Sequence, residues 1–304
     1  MFETSLSNEA QTWLATYPRD DGARVDFSNI DAERESYLNG CSDASDRAIA
    51  RHQLTMNEVE LGGVRCQRVT SGAAPASRGT LFYVFGGAFI MGSPRADLPI
   101  IGALANYCGL DVIAPWYRLA PEHPAPAALH DCLAAYEAAT SGLAGPLFLA
   151  GESAGGNLAL LVAQRAAASQ LRTPDAMALL SPAVDLRVEE ELFVPVWGSD
   201  PTLHPARMLD VLDAYVAGSD PSEPDISPLF GSMENLPPTI ITTGTRDQLV
   251  NMCVRLHRKM RRSGLDVRCN VWDGLWHVFE FYDEYPEADE SLREIAAFLN
   301  RQDS

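Results

Sequence analysis

The chain has 304 residues, of which 46% are hydrophobic and 21% charged, and its formal net charge is −18. This composition is typical of a folded globular chain, and the acidic excess repels nucleic acid and anionic membrane surfaces, so neither is expected as a partner. The only lysine, Lys259, lies in a basic run whose pattern predicts the solvated face of a helix, which argues against a lysine Schiff-base enzyme and a P-loop phosphate site.

Cysteine spacing and apolar runs bear on metal binding and on location. The six cysteines are dispersed, without the spacing of a CxxC redox motif or a zinc ribbon, so they are predicted to be buried free thiols. We therefore expect no metal site. No apolar run approaches the roughly 18 residues that span a bilayer, and the N-terminus lacks the pattern of a signal peptide. A cytoplasmic location is expected.

The predicted elements change in character along the chain. Residues 1–50 have a helical rhythm, and from about residue 54 short β-rich runs alternate with longer helical stretches. The predicted strands are 64–69, 81–85, 111–114, 147–150, 176–180, 239–243 and 267–272, and the predicted helices are roughly 96–108, 126–140, 154–169, 248–264 and 290–300. Strands separated by helices predict an α/β fold with a mostly parallel sheet that helices cover on both faces.

One interval, residues 187–228, breaks this alternation. It is too long for a simple crossover and too apolar for a solvated loop. We interpret it as an inserted helical cap segment that packs on a second cap segment, residues 1–50. The α/β core then consists of residues 51–186 and 229–304.

A candidate nucleophile follows the fourth predicted strand. Residues 151–155, Gly-Glu-Ser-Ala-Gly, match GxSxG between an apolar strand and a helical run. In this strand–turn–helix context, small residues two before and two after the serine permit a tight turn that exposes its hydroxyl at the edge of the sheet. Ser153 is therefore the predicted nucleophile. The alternative is a glycine-rich turn with a bystander serine.

A serine of this kind needs a general base, and in this fold the histidine follows the acid in the chain. Only His204, His257 and His277 follow Ser153. His204 falls in the insertion and His257 in the basic helix, whereas His277 lies just beyond the last predicted strand. His277 is the predicted base, and the alternative is a turn residue.

The acid that orients this histidine is predicted at the end of the preceding strand. Strand 239–243 is followed by a short loop and Asp247, which would hold the imidazole tautomer and stabilise the imidazolium. The alternative for Asp247 is an N-cap of the next helix. Asp266 precedes a strand and Asp273 lies only a few residues before the histidine, so both are weaker candidates.

An oxyanion hole requires backbone N–H groups aimed at the developing charge. Gly86 and Gly87 follow strand 81–85, where esterases of the HGGG type carry their oxyanion loop. The N–H groups of these two glycines and of Ala154 are the predicted donors. The alternative is that the glycines only form a turn.

Three motifs together resemble one family. Phe-Gly-Gly-Ala at 85–88, YRLAPEHPAPAAL at 117–129 and GESAGGN at 151–157 look like the hormone-sensitive-lipase-like branch of the α/β-hydrolases. The resemblance extends from about residue 54 to the end. It implies a cytoplasmic, cofactor-free carboxylesterase or lactonase with an eight-stranded sheet, and a cap formed by the N-terminal segment and an insertion after the sixth strand. It also implies that Glu122 and His123 are structural.

The sequence departs from the family pattern at two positions. Phe85 stands where the family has a histidine that helps to hold the oxyanion loop, and Glu152 stands where Asp is usual before the serine. Either other contacts hold Gly86 and Gly87, or Phe85 faces the pocket and shapes substrate choice.

The leading hypothesis is a serine hydrolase that cleaves a small to medium, mainly apolar ester or lactone through an acyl-enzyme. The pocket is predicted to use apolar side chains of the insertion and the loops, namely Phe85, Phe89, Phe193, Trp197, Leu203, Met208 and Phe279. The predicted partner is this small molecule. Whether two copies of the chain form a homodimer is left open by the sequence.

Three rival functions are weaker. Amide or carbamate cleavage would use the same triad with a poorer leaving group. A non-catalytic ligand receptor on the hydrolase fold would lack part of the triad. An NAD-dependent oxidoreductase would need a GxGxxG run after a strand, and the sequence has none there.

Overall fold

The structure, a computed structural model, describes residues 6–17, 24–74, 77–187 and 200–301. The strands are β1 (Leu54–Leu61), β2 (Val64–Ser71), β3 (Thr80–Val84), β4 (Asp111–Pro115), β5 (Leu147–Glu152), β6 (Ala176–Leu180), β7 (Thr239–Gly244) and β8 (Val267–Trp272). The helices are α1 (Asn8–Thr16), α2 (Ile30–His52), α3 (Leu98–Cys108), α4 (Ala127–Thr140), α5 (Ser153–Ala168), α6 (Pro205–Val216), α7 (Val250–Arg262) and α8 (Pro286–Asn300). Short 3₁₀ turns occupy Phe27–Asn29, Pro228–Phe230 and Phe279–Phe281.

The eight strands form one sheet in the order β1-β2-β4-β3-β5-β6-β7-β8. The pairs β1/β2 and β2/β4 are antiparallel, and all pairs from β4/β3 to β7/β8 are parallel. All seven predicted strands are present, and the predicted α/β-hydrolase fold is confirmed. Sequence reasoning missed β1, an edge strand whose polar residues are largely exposed.

Helices cover both faces of the central strands. Every residue of β5, β6 and β7 is buried, and successive side chains of a strand point to opposite faces. The catalytic candidates Ser153, Asp247 and His277 follow the carboxyl ends of β5, β7 and β8, the edge at which ligands bind in open α/β sheets.

The N-terminal segment contacts the described part of the predicted insertion, residues 200–228. The Arg24 Nε donates to Asp210 Oδ1 on α6 at 2.6 Å, and the Val25 N–H donates to Oδ2 of the same carboxylate at 3.1 Å. Arg207 pairs with Glu33 of α2 at 3.2 Å. These bonds join α6 to the segment that precedes α2 and to α2 itself.

Helix α1 packs directly on the loop that carries the predicted base. The Trp13 ring stacks on Trp276, with centroids 3.9 Å apart and planes 12° apart, and it meets Tyr282 edge-on. Burial of large aromatic rings in this geometry stabilises the contact beyond the area it removes from water. The N-terminal helix therefore supports the residue next to His277.

The single lysine does not lie on a solvated face as predicted. The Lys259 ammonium donates to the carbonyl oxygens of Leu229 at 2.7 Å and Gly231 at 2.8 Å. Partial burial lowers the pKa of this ammonium. Lys259 thus ties α7 to the turn Pro228–Phe230.

No helix among the residues that the structure describes is both long and apolar enough to cross a membrane.

Candidate active site

Ser153 lies at a strained turn between β5 and α5. Its φ of +52° is in the left-handed region, which is unfavourable for a residue with a side chain. A Cβ on Gly151 would overlap the Gly155 carbonyl, and one on Gly155 would overlap the Val84 carbonyl. The flanking glycines are therefore required for the backbone to turn this sharply.

The three predicted triad residues form one hydrogen-bonded chain. The distance from Ser153 Oγ to His277 Nε2 is 2.9 Å, and His277 Nδ1 lies 3.0 Å from Asp247 Oδ1. The second carboxylate oxygen of Asp247 accepts from Thr243 Oγ1 at 2.7 Å, and the Leu249 N–H donates to Oδ1 at 2.8 Å. These distances meet the requirement for a nucleophile, a base and an orienting acid.

Burial and neighbouring charges shift the pKa values of Asp247 and His277 in opposite directions. Burial raises the pKa of Asp247, but the charge and hydrogen bond of His277 outweigh burial and hold it below the usual value. Burial lowers the pKa of His277, but the neighbouring Asp247 carboxylate outweighs burial and raises it above the usual value. The site therefore favours a carboxylate beside an imidazole that is a stronger base than usual.

The loop after β3 turns its backbone towards the nucleophile one residue later than predicted. Gly87, Ala88 and Ala154 line the cavity in front of Ser153, and the φ values of Gly87 and Ala88 are +101° and +57°. Gly86 does not line this cavity and packs instead against the buried Glu152 carboxyl, which a Cβ at this position would overlap. The cavity lining therefore supports Gly87 and Ala154 among the three predicted donors, but not Gly86.

Phe85 faces away from the cavity. It is 1% exposed, and its ring stacks on Tyr117 with centroids 4.2 Å apart and planes 13° apart. The Tyr117 hydroxyl donates to the Phe85 carbonyl at 2.8 Å. Of the two alternatives, the structure therefore shows the one in which other contacts hold the loop, and the prediction of Phe85 as a pocket residue is wrong.

Comparison with known proteins places this geometry in a family. The model of a family with the α/β-hydrolase fold matches residues 81–281. A solved esterase from the bacterial hormone-sensitive lipase family superimposes with a TM-score of 0.87 at 25% identity, covering 98% of this chain and 99% of that chain. The chain belongs to the hormone-sensitive-lipase-like family of α/β-hydrolase esterases.

Curated relatives of this hormone-sensitive-lipase-like esterase are also ester hydrolases. An acetyl-hydrolase of Streptomyces hygroscopicus is 32% identical over 223 residues, which are 72% of this chain and 75% of the relative. An esterase of Acinetobacter venetianus is 29% identical over 254 residues, 82% and 83% of the two chains. The resemblance carried by the sequence motifs is confirmed, and the chain is an ester hydrolase.

Ser153, the candidate nucleophile of the esterase, opens onto a cavity of about 620 Å³, within the range that holds small molecules. Of the predicted pocket residues, Phe89, Leu203 and Met208 line it. Further lining comes from side chains that sequence reasoning missed, including Tyr37, Met91, Val211, Phe281 and Tyr282. Most of this wall is apolar.

The other predicted pocket residues do not line the described cavity. Phe279 is 1% exposed and packs against Trp272 in a separate apolar cluster, so its prediction is wrong. Its neighbour Phe281 faces the cavity instead. Phe193 and Trp197 lie outside the described residues.

A buried carboxyl pair, Asp97 and Glu152, lies behind the loop that follows β3. The Glu152 carboxyl packs against Gly86, and Tyr83 Oη donates to Asp97 Oδ2 at 3.0 Å. Burial raises the pKa of Asp97 to about 7, and burial together with the neighbouring Asp97 raises that of Glu152 well above its usual value. The pair therefore packs behind the loop in which the family's histidine is replaced by Phe85.

Replacing Asp97 with Asn tests this pair. The pKa of Asp97 is about 7 in the folded protein and about 3.9 when unfolded, so its contribution to stability is lost as the pH rises towards and through 7. Asn stays neutral. We compare the free energy of unfolding of Asp97→Asn with that of wild type at each pH. We therefore expect this difference to be about 2 kcal/mol more in favour of the variant at about pH 8.5 than at about pH 5.5.

Urea unfolding followed by tryptophan fluorescence at both pH values measures this gain. Asp210→Asn is the control without pH dependence in this range: hydrogen bonding to Arg24 lowers the pKa of Asp210, so its carboxylate is ionised at both pH values and its loss should cost the same stability at both. An equal difference between Asp97→Asn and wild type at both pH values would contradict the raised pKa of Asp97.

Proposed function

We propose that this esterase cleaves a small to medium, mainly apolar carboxylic ester or lactone through an acyl-enzyme intermediate. The observation that carries the proposal is the hydrogen-bonded chain of Ser153, His277 and Asp247 at the floor of the 620 Å³ cavity. A nucleophile, its base and an orienting acid at these distances are the parts that acyl transfer requires.

Acylation begins when Ser153 Oγ attacks the ester carbonyl carbon while His277 Nε2 takes the hydroxyl proton. Asp247 stays ionised, holds the Nδ1–H tautomer and stabilises the imidazolium. The tetrahedral intermediate then collapses, His277 returns the proton to the leaving alkoxide oxygen, and the alcohol departs. With a lactone, this alcohol stays attached to the acyl chain.

Negative charge on the carbonyl oxygen needs donors that are already in place. The backbone N–H groups of Gly87, Ala88 and Ala154 are the proposed donors, because these residues line the cavity beside Ser153. Deacylation repeats the sequence with water as the nucleophile and His277 as the base.

Residues 1–50 and 187–228 are proposed to act as the cap over this cavity. Tyr17, Tyr37 and Cys41 contribute to its wall from the N-terminal segment, and Leu203 and Met208 contribute from the insertion. The bonds between Asp210 and the N-terminal segment support a cap that acts as one unit. The cytoplasmic location and the homodimer also stay predictions.

A panel of matched substrates tests the proposal. We expect p-nitrophenyl butyrate to be hydrolysed with a kcat/KM at least about a hundredfold above that of butyryl p-nitroanilide, because an amide has the poorer leaving group. A δ-lactone of similar size is compared with its open-chain ester. Because apolar side chains dominate the wall, kcat/KM for the butyrate ester is expected to exceed that for the anionic hemisuccinate ester.

Covalent labelling separates the remaining alternatives. A fluorophosphonate probe should label wild type at Ser153 and leave Ser153→Ala unlabelled. Unlabelled, inactive wild type would favour the ligand-receptor function, and faster anilide than ester cleavage would favour the amidase.

A further inference from the structure

A second buried carboxylate, Asp200, lies behind the triad. It is 5% exposed. Its Oδ2 accepts the backbone N–H groups of Gln248 and His277, each at 3.2 Å. Its Oδ1 accepts the Thr202 N–H and hydroxyl, each at 2.9 Å, and the Leu203 N–H at 3.2 Å.

These bonds join three parts of the active site through one side chain. Gln248 follows the catalytic acid directly, and His277 is the catalytic base, so a single oxygen holds the backbones of both catalytic loops. The other oxygen holds Thr202 and Leu203, which line the substrate cavity. Movement of this carboxylate would therefore shift the base, the acid and the cavity wall together.

The partners of Asp200 require an acceptor. Among the residues that the structure describes, the five hydrogen bonds to it come from N–H or O–H donors, and an ionised carboxylate only accepts. Burial and the nearby Asp247 raise its pKa, whereas a protonated His277 and Thr202 oppose this rise. The donor set favours the charged form beside the imidazole.

We propose that Asp200 is a positioning residue for ester hydrolysis, which holds both catalytic loops in register and adds its negative charge to that of Asp247 in favouring protonated His277. This inference rests on the proposed function of the triad. Asp200 takes no proton in the reaction and does not touch the ester.

The charge around His277 is acidic on several sides. Asp247 comes from the loop after β7, Asp200 from the insertion and Glu280 from the turn Phe279–Phe281, and all three raise the pKa of His277. Of these three carboxylates, Asp200 is the one that bonds to the backbone of both catalytic loops in the described part of the chain. Removal of its charge should therefore change both the rate and its pH dependence.

Asp200→Asn is the principal variant, measured with p-nitrophenyl butyrate from about pH 5 to about pH 9. In wild type, kcat/KM rises as the base loses its proton, with a midpoint above the ordinary histidine value because the pKa of His277 is raised. With Asn, we expect this midpoint to move down by about half a pH unit or more. We also expect kcat to fall about ten- to a hundredfold, with KM changed about threefold at most.

Two further variants keep the test independent of folding defects. Asp200→Glu retains the charge, so its midpoint should stay at the wild-type pH even if its kcat falls. Asp210→Asn removes a carboxylate from the same insertion that bonds to the N-terminal segment rather than to the triad, and its midpoint should also stay. Rates are divided by the fraction of each protein labelled with fluorophosphonate, so only folded sites count.

The outcomes separate this proposal from the proposed function. The positioning role would be overturned if Asp200→Asn kept the midpoint and kcat of wild type, or if its kcat fell with no shift in midpoint. In either case, a wild type that is labelled and active would still uphold the triad. Wild type that is inactive and unlabelled would overturn both. A shift in Asp200→Asn alone among the three variants would support the proposal.

Discussion

Ser153→Ala is expected to lower kcat for p-nitrophenyl butyrate by about 10⁵-fold or more. The physical reason is that Ser153 Oγ is the attacking atom in the proposed mechanism and lies 2.9 Å from Nε2 of His277, the proposed base. Binding should persist, because the cavity wall is unchanged, so KM measured from the residual rate should stay within about threefold. Stopped-flow and long-time steady-state assays on purified protein measure the two parameters.

The double variant gives the sharper form of this test. Because Ser153 and His277 act as one unit, adding His277→Ala to Ser153→Ala should lower kcat by no more than about threefold further. His257→Ala, on the remote face of α7, is the matched control and should keep kcat within about twofold. Independent, multiplying losses from Ser153 and His277 would contradict the shared mechanism.

Asp247→Asn is expected to lower kcat by about 10⁴-fold while the protein stays folded. The amide nearly matches the carboxylate in size, but it is neutral and cannot stabilise the imidazolium that forms at His277, whose Nδ1 lies 3.0 Å from Asp247 Oδ1 in wild type. Where the NH₂ group rather than the oxygen of the amide faces Nδ1, the imidazole is also held in the other tautomer, and Nε2 then carries a proton when it should take one. The loss should lie in kcat, since Asp247 is fully buried and touches no substrate.

The control for this variant is Asp273→Asn, the carboxylate nearest in sequence before His277. Its Oδ1 accepts from Thr245 Oγ1 at 3.4 Å and forms no bond to the imidazole in the part of the chain that the structure describes, so kcat should stay within about threefold. If Asp273→Asn rather than Asp247→Asn abolished turnover, the identity of the acid would be wrong.

Features that depend on local sequence patterns could be predicted from the sequence. The alternation of apolar strands and helices predicted the sheet, because the strands from β3 to β6 are buried along most of their length and are largely apolar. Strand β1 was not predicted because its exposed positions carry polar residues, namely Thr55, Asn57, Glu58 and Glu60. Ser153 was identifiable because the elbow needs glycines at fixed offsets.

Features that depend on side-chain direction could not be predicted. Phe85 stacks on Tyr117, and no signal within residues 85–89 shows this distant partner. Asp97 and Glu152 come from separate elements, so their pairing follows from the fold alone. Asp200 bonds mainly to backbone N–H groups, which every residue type except proline has, and therefore leaves no motif.

The stacking of Trp13 on Trp276 has a consequence for synthesis of the protein. The two rings lie near opposite ends of the chain, and the second adjoins the catalytic base. On the ribosome, domains form from the N-terminus as the chain emerges. Helix α1 is therefore synthesised first, and its aromatic face stays uncovered until the last strand has been made. A nascent chain therefore has neither a complete triad nor a covered Trp13 until translation is almost finished.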